Sequence, residues 1–138
     1  MSNQLDVQLE GVDFQVAIEL TKRALSTEGF GVLTEIDVKE TLRKKLDVDF
    51  PPYTILGACN PKLAHAALQA EPQIGLFLPC NVVVKQVDTG ISVQIVDPTM
   101  MMSAVKSPAL EDIAKEANNK LVRVASSLKS SSALVAGR

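Results

Sequence analysis

Residues 82–96 have the sequence VVVKQVDTGISVQIV, and this stretch decides the fold that the chain predicts. Two runs rich in β-branched residues flank the tripeptide DTG, which is typical of a tight turn between paired strands. The pattern predicts an antiparallel hairpin, with its first strand within residues 75–87 and its return strand over residues 91–96. Pro79 lies in the first run and has no backbone donor, so we expect it to kink that strand or to lie where no ladder bond is lost.

Three further strands and four helices are predicted around this hairpin. Alternating or β-rich sequence places the strands over residues 4–9, 30–38 and 53–59. Apolar residues three or four apart place long helices over residues 14–29 and from residue 108 onward, and short helices are predicted over residues 39–46 and 61–70. An antiparallel sheet with its two main helices on one face is a two-layer α+β arrangement.

The length of 138 residues suits a single domain over residues 1–138. Residues 130–138 begin with small polar side chains, and we expect this tail to fray. Two layers leave one face of the sheet without a cover. A homodimer would supply that cover, and the nearly continuous apolar run over residues 75–84 favours it over a face open to solvent.

Composition excludes several classes of protein. Lys and Arg number 14 against 16 Asp and Glu, the net charge is −2, and aromatic residues make up 4%. Nucleic-acid binding needs a basic surface and, for single strands, stacking aromatics, so no nucleic-acid partner is expected. The apolar runs are too short for a membrane span, and residues 1–6 lack the features of a secretory signal. We therefore expect a cytoplasmic protein with reduced cysteines.

Three motifs resemble the domain of unknown function 302 family. They are EGFGVLTEIDVK at residues 28–39, LGACNP at residues 56–61 and LPCNV at residues 78–82, and the likeness continues through Asp97-Pro98 into the last helix. The resemblance implies small bacterial or archaeal proteins, often dimeric, with a TATA-box-binding-protein-like β-α-β(4)-α fold. It implies no activity, and the likeness to a DNA-binding fold does not carry over to function, because function depends on the site.

Two cysteines form the most distinctive candidate site, because each precedes an asparagine, in Cys59-Asn60 and in Cys80-Asn81. Asn60 is a predicted N-cap, so the helix dipole would stabilise a thiolate at Cys59. With His65 the pair makes a candidate soft-metal site for zinc or copper(I).

Several readings of these cysteines stay open. A thioether from the methionine run at residues 100–102 would add a ligand, although methionine also fills irregular gaps in cores. The alternatives to a metal site are two buried, inert thiols, a redox or persulfide-handling thiol, and a disulfide.

A second, polar candidate site comprises Glu35, Asp37 and Lys39. Their alternation places them on one face of the predicted strand, opposite Ile36 and Val38, which we expect to face the core together with Val32. Two carboxylates beside a lysine suit acid–base chemistry or anion binding, whereas the plain alternative is a solvated strand face.

The sequence therefore assigns no reaction and no cofactor, and leaves three hypotheses of function. The first is a dimeric binding or sensing module with a small-molecule or soft-metal pocket near the two Cys-Asn motifs. The second is an enzyme that uses a thiolate of Cys59 or Cys80. The third is a protein-interaction module in which both cysteines are inert.

Overall fold

The computed structural model describes residues 5–136, with side chains as far as Ser131. Its strands are β1 (Asp6–Leu9), β2 (Gly31–Asp37), β3 (Tyr53–Cys59), β4 (Cys80–Val87) and β5 (Gly90–Ile95). Its helices are α1 (Phe14–Thr27), α2 (Val38–Leu46), α3 (Pro61–Ala70) and α4 (Pro108–Ala136), with 3-10 helices at Pro72–Phe77 and Pro98–Ser103. Residues 1–4, which hold most of the segment examined for a signal and the start of the predicted first strand, lie outside the described residues.

The strands form one antiparallel sheet in the order β1-β5-β4-β3-β2. The hairpin predicted from residues 82–96 is the pair β4 and β5, in which Val84 faces Val93 and Val87 faces Gly90 across the turn. The long elements follow the order strand, helix, four strands, helix, so the predicted α+β class and arrangement are confirmed.

The main core lies between the sheet and the pair of helices α1 and α4. Fully buried side chains come from both layers, for example Leu56 and Val84 of the sheet, Leu25 of α1 and Leu121 of α4. Each helix packs an apolar stripe on the same face of the sheet, which leaves the other face uncovered by the described part of the chain.

A smaller core lies at the end of the sheet where β3 finishes and β4 begins. It is built on Ala67 of α3, Ile74 of the first 3-10 helix and Leu110 of α4, all of them buried. Partly buried Leu78, Met101, Met102, Val105 and Ile113 pack against these three residues. This second core supports the cavity described below.

The structure narrows the first strand of the hairpin, which was predicted within residues 75–87. Residues up to Phe77 form a 3-10 helix, Leu78-Pro79 is a cis peptide, and β4 begins only at Cys80. Proline cannot donate a ladder hydrogen bond, so the strand starts after Pro79. Much of the apolar run lies at the surface instead, where Leu76 is 83% exposed.

The predicted facing of β2 is also wrong beyond Val32. The pairing of β2 with β3 shifts between Val32 and Thr34, which is a bulge at Leu33. One extra residue moves every later side chain to the other face, so Glu35 is turned toward α1 and Ile36 lies on the uncovered face, 49% exposed.

The tail expected to fray from residue 130 is helical as far as Ala136, and residues 137–138 lie outside the described part. A serine hydroxyl can bond the carbonyl one turn earlier without ending a helix, as Ser130 Oγ does to the Ser126 carbonyl at 3.3 Å. Within residues 5–136, no helix has the length and apolar content that crossing a membrane requires.

Candidate functional site

An apolar cavity of about 40 Å³ lies between α3, α4 and the adjoining ends of β3 and β4. Its lining residues are Phe30, Ala58, Cys59, Asn60, Leu63, Ala64, Ala67, Leu78, Pro79, Cys80, Pro98, Met101, Ile113, Ala114 and Ala117. None of them carries a charge, and Asn60 is the only amide. The lining residues with a reactive side chain are therefore Cys59 and Cys80.

The sheet register brings Cys59 and Cys80 together. Ala58 of β3 faces Cys80 of β4, and Cys59 is the next residue along β3. Facing strands lie about 5 Å apart and successive residues about 3.3 Å apart, which places the two Cα atoms about 6 Å from each other. Both cysteines are free and half-buried, and both residues line the same cavity.

The protonation of Cys80 follows from its surroundings. Burial raises the pKa of the Cys80 thiol to about 11, and repulsion from negative charge at Cys59 adds to the effect. The Cys80 side chain is consequently a thiol at neutral pH. Neither a carboxylate nor an imidazole lines the cavity to take its proton, which disfavours the thiolate-enzyme hypothesis for Cys80.

Asn60 has a structural task that occupies both ends of its amide. Its Oδ1 accepts a hydrogen bond from the Leu63 N–H at 3.3 Å and so caps α3, as the sequence predicts. Its Nδ2 donates to the Glu28 carbonyl at 3.2 Å, just after α1 ends. Asn60 therefore ties the end of α1 to the start of α3 at the rim of the cavity.

Asn81 and His65 do not join this group. Asn81 is exposed and pairs across the sheet with Gly57, so its side chain lies on the uncovered face. His65 is exposed on α3 and does not line the cavity. The predicted ligand set of Cys59, Cys80 and His65 is therefore not assembled, because His65 projects from a different side of its helix.

A groove of about 270 Å³ adjoins the cavity between the two 3-10 helices. Cys80, Pro98 and Met101 line both the cavity and the groove, so they form a shared wall. Phe77 and Met100 line the groove and are 43% and 66% exposed. The groove gives small molecules a route from solvent to Cys80.

The polar candidate site at Glu35, Asp37 and Lys39 does not converge. Glu35 pairs with Lys22 of α1 at 2.7 Å, and this hydrogen-bonded ion pair raises the pKa of Lys22. Asp37 caps α2 by accepting from the Glu40 N–H at 2.9 Å.

Lys39 likewise has partners away from the other two residues. Its Nζ donates to the Phe50 carbonyl at 2.8 Å and contacts Asp49 at 3.3 Å. Each residue of the predicted set thus holds a different local contact. The bulge in β2 turns Glu35 toward α1, away from the partners of Asp37 and Lys39. The sequence contains no recognisable signal for this bulge.

Met101 is the cavity residue whose place the sequence did not single out. The methionine run at residues 100–102 was predicted as one group, but the 3-10 helix Pro98–Ser103 turns its members apart. Met101 lines the cavity with both cysteines, whereas Met100 lines only the groove. In the sequence, Asp97-Pro98 marks where this helix begins. Once that start is known, the turn of the helix separates the directions of Met100 and Met101.

Comparison with known proteins agrees with this architecture. Residues 5–128 match the family described as "Domain of unknown function DUF302". A crystal structure of an uncharacterized conserved DUF302 protein from Bacillus stearothermophilus is 33% identical in sequence, with a TM-score of 0.81, covering 88% of this chain and 94% of that one. No curated protein matches the chain. The chain, with its five-stranded sheet and the cavity at the sheet's end, therefore belongs to the DUF302 family.

Proposed function

We propose that this protein is a binding module whose ligand enters the apolar cavity and contacts Cys59 and Cys80. The observation that carries this proposal is the presence of both cysteines in one uncharged cavity that adjoins a solvent-accessible groove. A structural pair of buried thiols would need no such route. Binding is favoured over catalysis because the lining supplies no general base or acid.

The volumes limit what is bound. Ligand pockets usually measure roughly 300–1,000 Å³, and the cavity of about 40 Å³ alone is far smaller. The groove of about 270 Å³ is a separate space on the other side of the shared wall, and it also falls below that range. The cavity itself therefore accepts a ligand of only a few atoms.

Two thiosulfonate reagents test this proposal, one small and uncharged, the other bulkier and charged. Methyl methanethiosulfonate is uncharged, and sulfonatoethyl methanethiosulfonate carries a fixed negative charge. In each reaction the cysteine sulfur forms a disulfide with the reagent's thiol sulfur, and the sulfinate leaves. We expect the uncharged reagent to label the native cysteines much faster than the charged one, because the lining is apolar. Mass spectrometry of Cys59→Ser and Cys80→Ser assigns each label.

A matched pair of α3 variants locates the reaction. Ala64→Leu adds bulk to a lining residue, whereas Ala66→Leu adds the same bulk outside the lining of the cavity. Labelling should slow in Ala64→Leu and stay unchanged in Ala66→Leu. If the folded protein is labelled by neither reagent, or by both at equal rates, the cavity is not a binding site and the proposal fails.

We also propose that a second copy covers the open face of the sheet, the face opposite α1 and α4. Ile36, Ile55 and Val83 form an apolar row there across β2, β3 and β4, and Gln94 continues the row on β5. Five strands about 4.8 Å apart and about six residues long give a face of roughly 500 Å². Two such faces bury about 1,000 Å², the size at which specific interfaces begin.

Light scattering during size-exclusion chromatography tests this assembly. The protein should elute as a dimer at micromolar concentration, and Ile36→Glu should shift it to the monomer because it places a charge in the apolar row. Val16→Glu, which places the same charge at an exposed apolar residue of α1 on the other side of the sheet, is the matched control and should remain dimeric. A monomer of the unaltered chain would refute the dimer without bearing on the cavity.

A further inference from the structure

We propose that the groove between the two 3-10 helices is a second binding site, which takes a short aliphatic amine with its ammonium group at Asp97 and its carbon chain on the apolar walls. This inference goes beyond the proposed function, because it assigns a ligand to the groove itself and not to the cavity. The groove measures about 270 Å³, and Asp97 is the only charged residue among those that line it within residues 5–136.

Large apolar side chains converge on this groove although they are exposed. Phe77 of the first 3-10 helix, Val96 just after β5 and Met100 of the second 3-10 helix all line it. The apolar lining is completed by Pro98, Met101 and Ala104. A concave apolar surface open to water is typical of a site that binds a ligand. The flexible methionine side chains can follow the shape of an aliphatic chain.

The Asp97 carboxylate has one oxygen in use and one available. Its Oδ1 accepts hydrogen bonds from the Thr99 N–H at 2.8 Å and from the Thr99 hydroxyl at 2.6 Å. No residue in the described part of the chain donates to Oδ2 or forms an ion pair with this carboxylate. The two bonds to Thr99 position the carboxylate at the start of the second 3-10 helix, so Oδ2 is an acceptor held ready for a ligand.

This half-buried carboxylate decides the charge of the ligand. An uncharged chain that covered Asp97 would remove water from Oδ2 without replacing its hydrogen bonds, which costs free energy. An anionic ligand would add repulsion to that cost. An ammonium group instead donates a charge-assisted hydrogen bond to Oδ2 while the attached chain lies on the apolar walls.

The single available oxygen also distinguishes between kinds of cation. A guanidinium group binds a carboxylate best through two parallel hydrogen bonds, which need both oxygens. Thr99 already occupies Oδ1 twice, so a compact ammonium group fits Asp97 better. The amine is a short one, because the groove is smaller than the roughly 300–1,000 Å³ of most ligand pockets.

NMR titration with three six-carbon probes tests the site. At neutral pH n-hexylamine is a cation, 1-hexanol is uncharged and hexanoate is an anion. The amide signals of groove residues such as Met100 and Ala104 should shift, and hexylamine should saturate them at a concentration about threefold to tenfold lower than hexanol does. Hexanoate should bind most weakly. If hexanol binds as tightly as hexylamine, or the shifts lie outside the groove, the site is refuted.

Two aspartate variants provide a matched pair. Asp97→Asn removes the charge but keeps an oxygen that can accept from Thr99, so it should fold and should lose the preference for hexylamine over hexanol. Asp112→Asn makes the same change at an exposed residue of α4 outside the groove lining, and it should retain the preference. A preference that survives Asp97→Asn, or that is lost in Asp112→Asn, would overturn the proposal.

The proposals for the cavity and for the groove fail separately. Thiosulfonate labelling reports on the cysteines, whereas the titration reports on the amide signals of the groove. If labelling is selective but hexylamine shows no preference over hexanol, only the amine site is refuted. If hexylamine binds through Asp97 but neither reagent labels the folded protein, only the cavity proposal is refuted.

Discussion

At the scale of single residues, the cavity depends on two neighbours in the chain that have different tasks. Cys59 lines the cavity, and Asn60 uses both ends of its amide to tie the end of α1 to the start of α3. The two Cys-Asn pairs therefore do not share a role, because Asn60 caps α3 beside the cavity whereas Asn81 lies on the opposite face of the sheet from Cys80. The sequence shows both Cys-Asn pairs, but it does not show the direction of each side chain, which depends on the sheet register.

The raised pKa of Cys80 predicts how the stability of the protein depends on pH. An exposed thiol titrates near 9.0, so between pH 9 and about 11 the unfolded chain holds fewer protons than the folded one. The free energy of unfolding therefore falls over this window, by roughly 2–3 kcal/mol at most, and is unaffected by Cys80 below it.

Urea denaturation at pH 8, 9, 10 and 11 measures this dependence. Cys80→Ala, which has no thiol to titrate, separates the effect from that of the lysines and the tyrosine, and should show a shallower decline. Parallel declines in the two proteins would contradict the buried position of Cys80.

The double role of Asn60 predicts a graded pair of variants. Asn60→Ala removes both hydrogen bonds and should lower the free energy of unfolding by about 1–2 kcal/mol. Asn60→Ser retains an oxygen that can cap α3 but cannot reach the Glu28 carbonyl, so it should cost less. Thermal denaturation of both variants checks the order, and a more severe loss in Asn60→Ser would show that the cap is unimportant.

At the scale of elements, the sequence predicted each strand and α-helix of the described residues, and it missed the 3-10 helices and the bulge. The β4–β5 hairpin and the cap of α3 followed from residues adjacent in the chain. The 3-10 helix before Pro79 did not, because apolar content alone does not distinguish a strand from a surface turn. The bulge at Leu33 is a shift in the pairing of β2 with β3, which no local pattern shows.

The contact between β2, β3 and the Pro79 segment predicts a strict need for glycine at residue 57. A Cβ on Gly57 would collide with Thr34 Oγ1 and approach Pro79 Cγ to 2.8 Å. Gly57→Ala should therefore destabilise the protein by about 1–3 kcal/mol. Gly31→Ala, on the neighbouring strand, has open space around its Cβ and no left-handed backbone, and its stability should stay close to that of the unaltered chain. Chemical denaturation of both variants distinguishes them, and equal losses would refute the steric argument.

At the scale of the whole molecule, two hydrophobic cores of different size hold different parts of the chain together. The main core joins sheet, α1 and α4, while the smaller core holds α3 and the two 3-10 helices around the cavity. Few buried residues support the second core, so it should open more readily than the first. The composition, with its balanced charge and few aromatics, predicted a single domain but gave no sign of this division.

Substitution in each core tests the division. Ile74→Ala and Leu121→Ala each remove most of a fully buried side chain. Each should lower the free energy of opening of its own core by about 2–5 kcal/mol. Hydrogen exchange should show that Ile74→Ala increases opening of α3 and the start of β4 selectively, whereas Leu121→Ala increases exchange throughout the sheet. A uniform increase in both variants would mean that the molecule opens as one unit.

The bulge in β2 has a consequence for how this protein behaves at high concentration. An open sheet ends in two unpaired edges, and a flat, apolar edge is a template on which further chains polymerise. Here β1 is four residues long, and β2 is bulged and carries Glu35 and Asp37. Strand-by-strand growth into fibrils is thus opposed at both edges, even though the same bulge exposes Leu33 and Ile36 to solvent. The β2 bulge, which keeps the predicted polar residues from forming one site, thus also hinders aggregation through this edge.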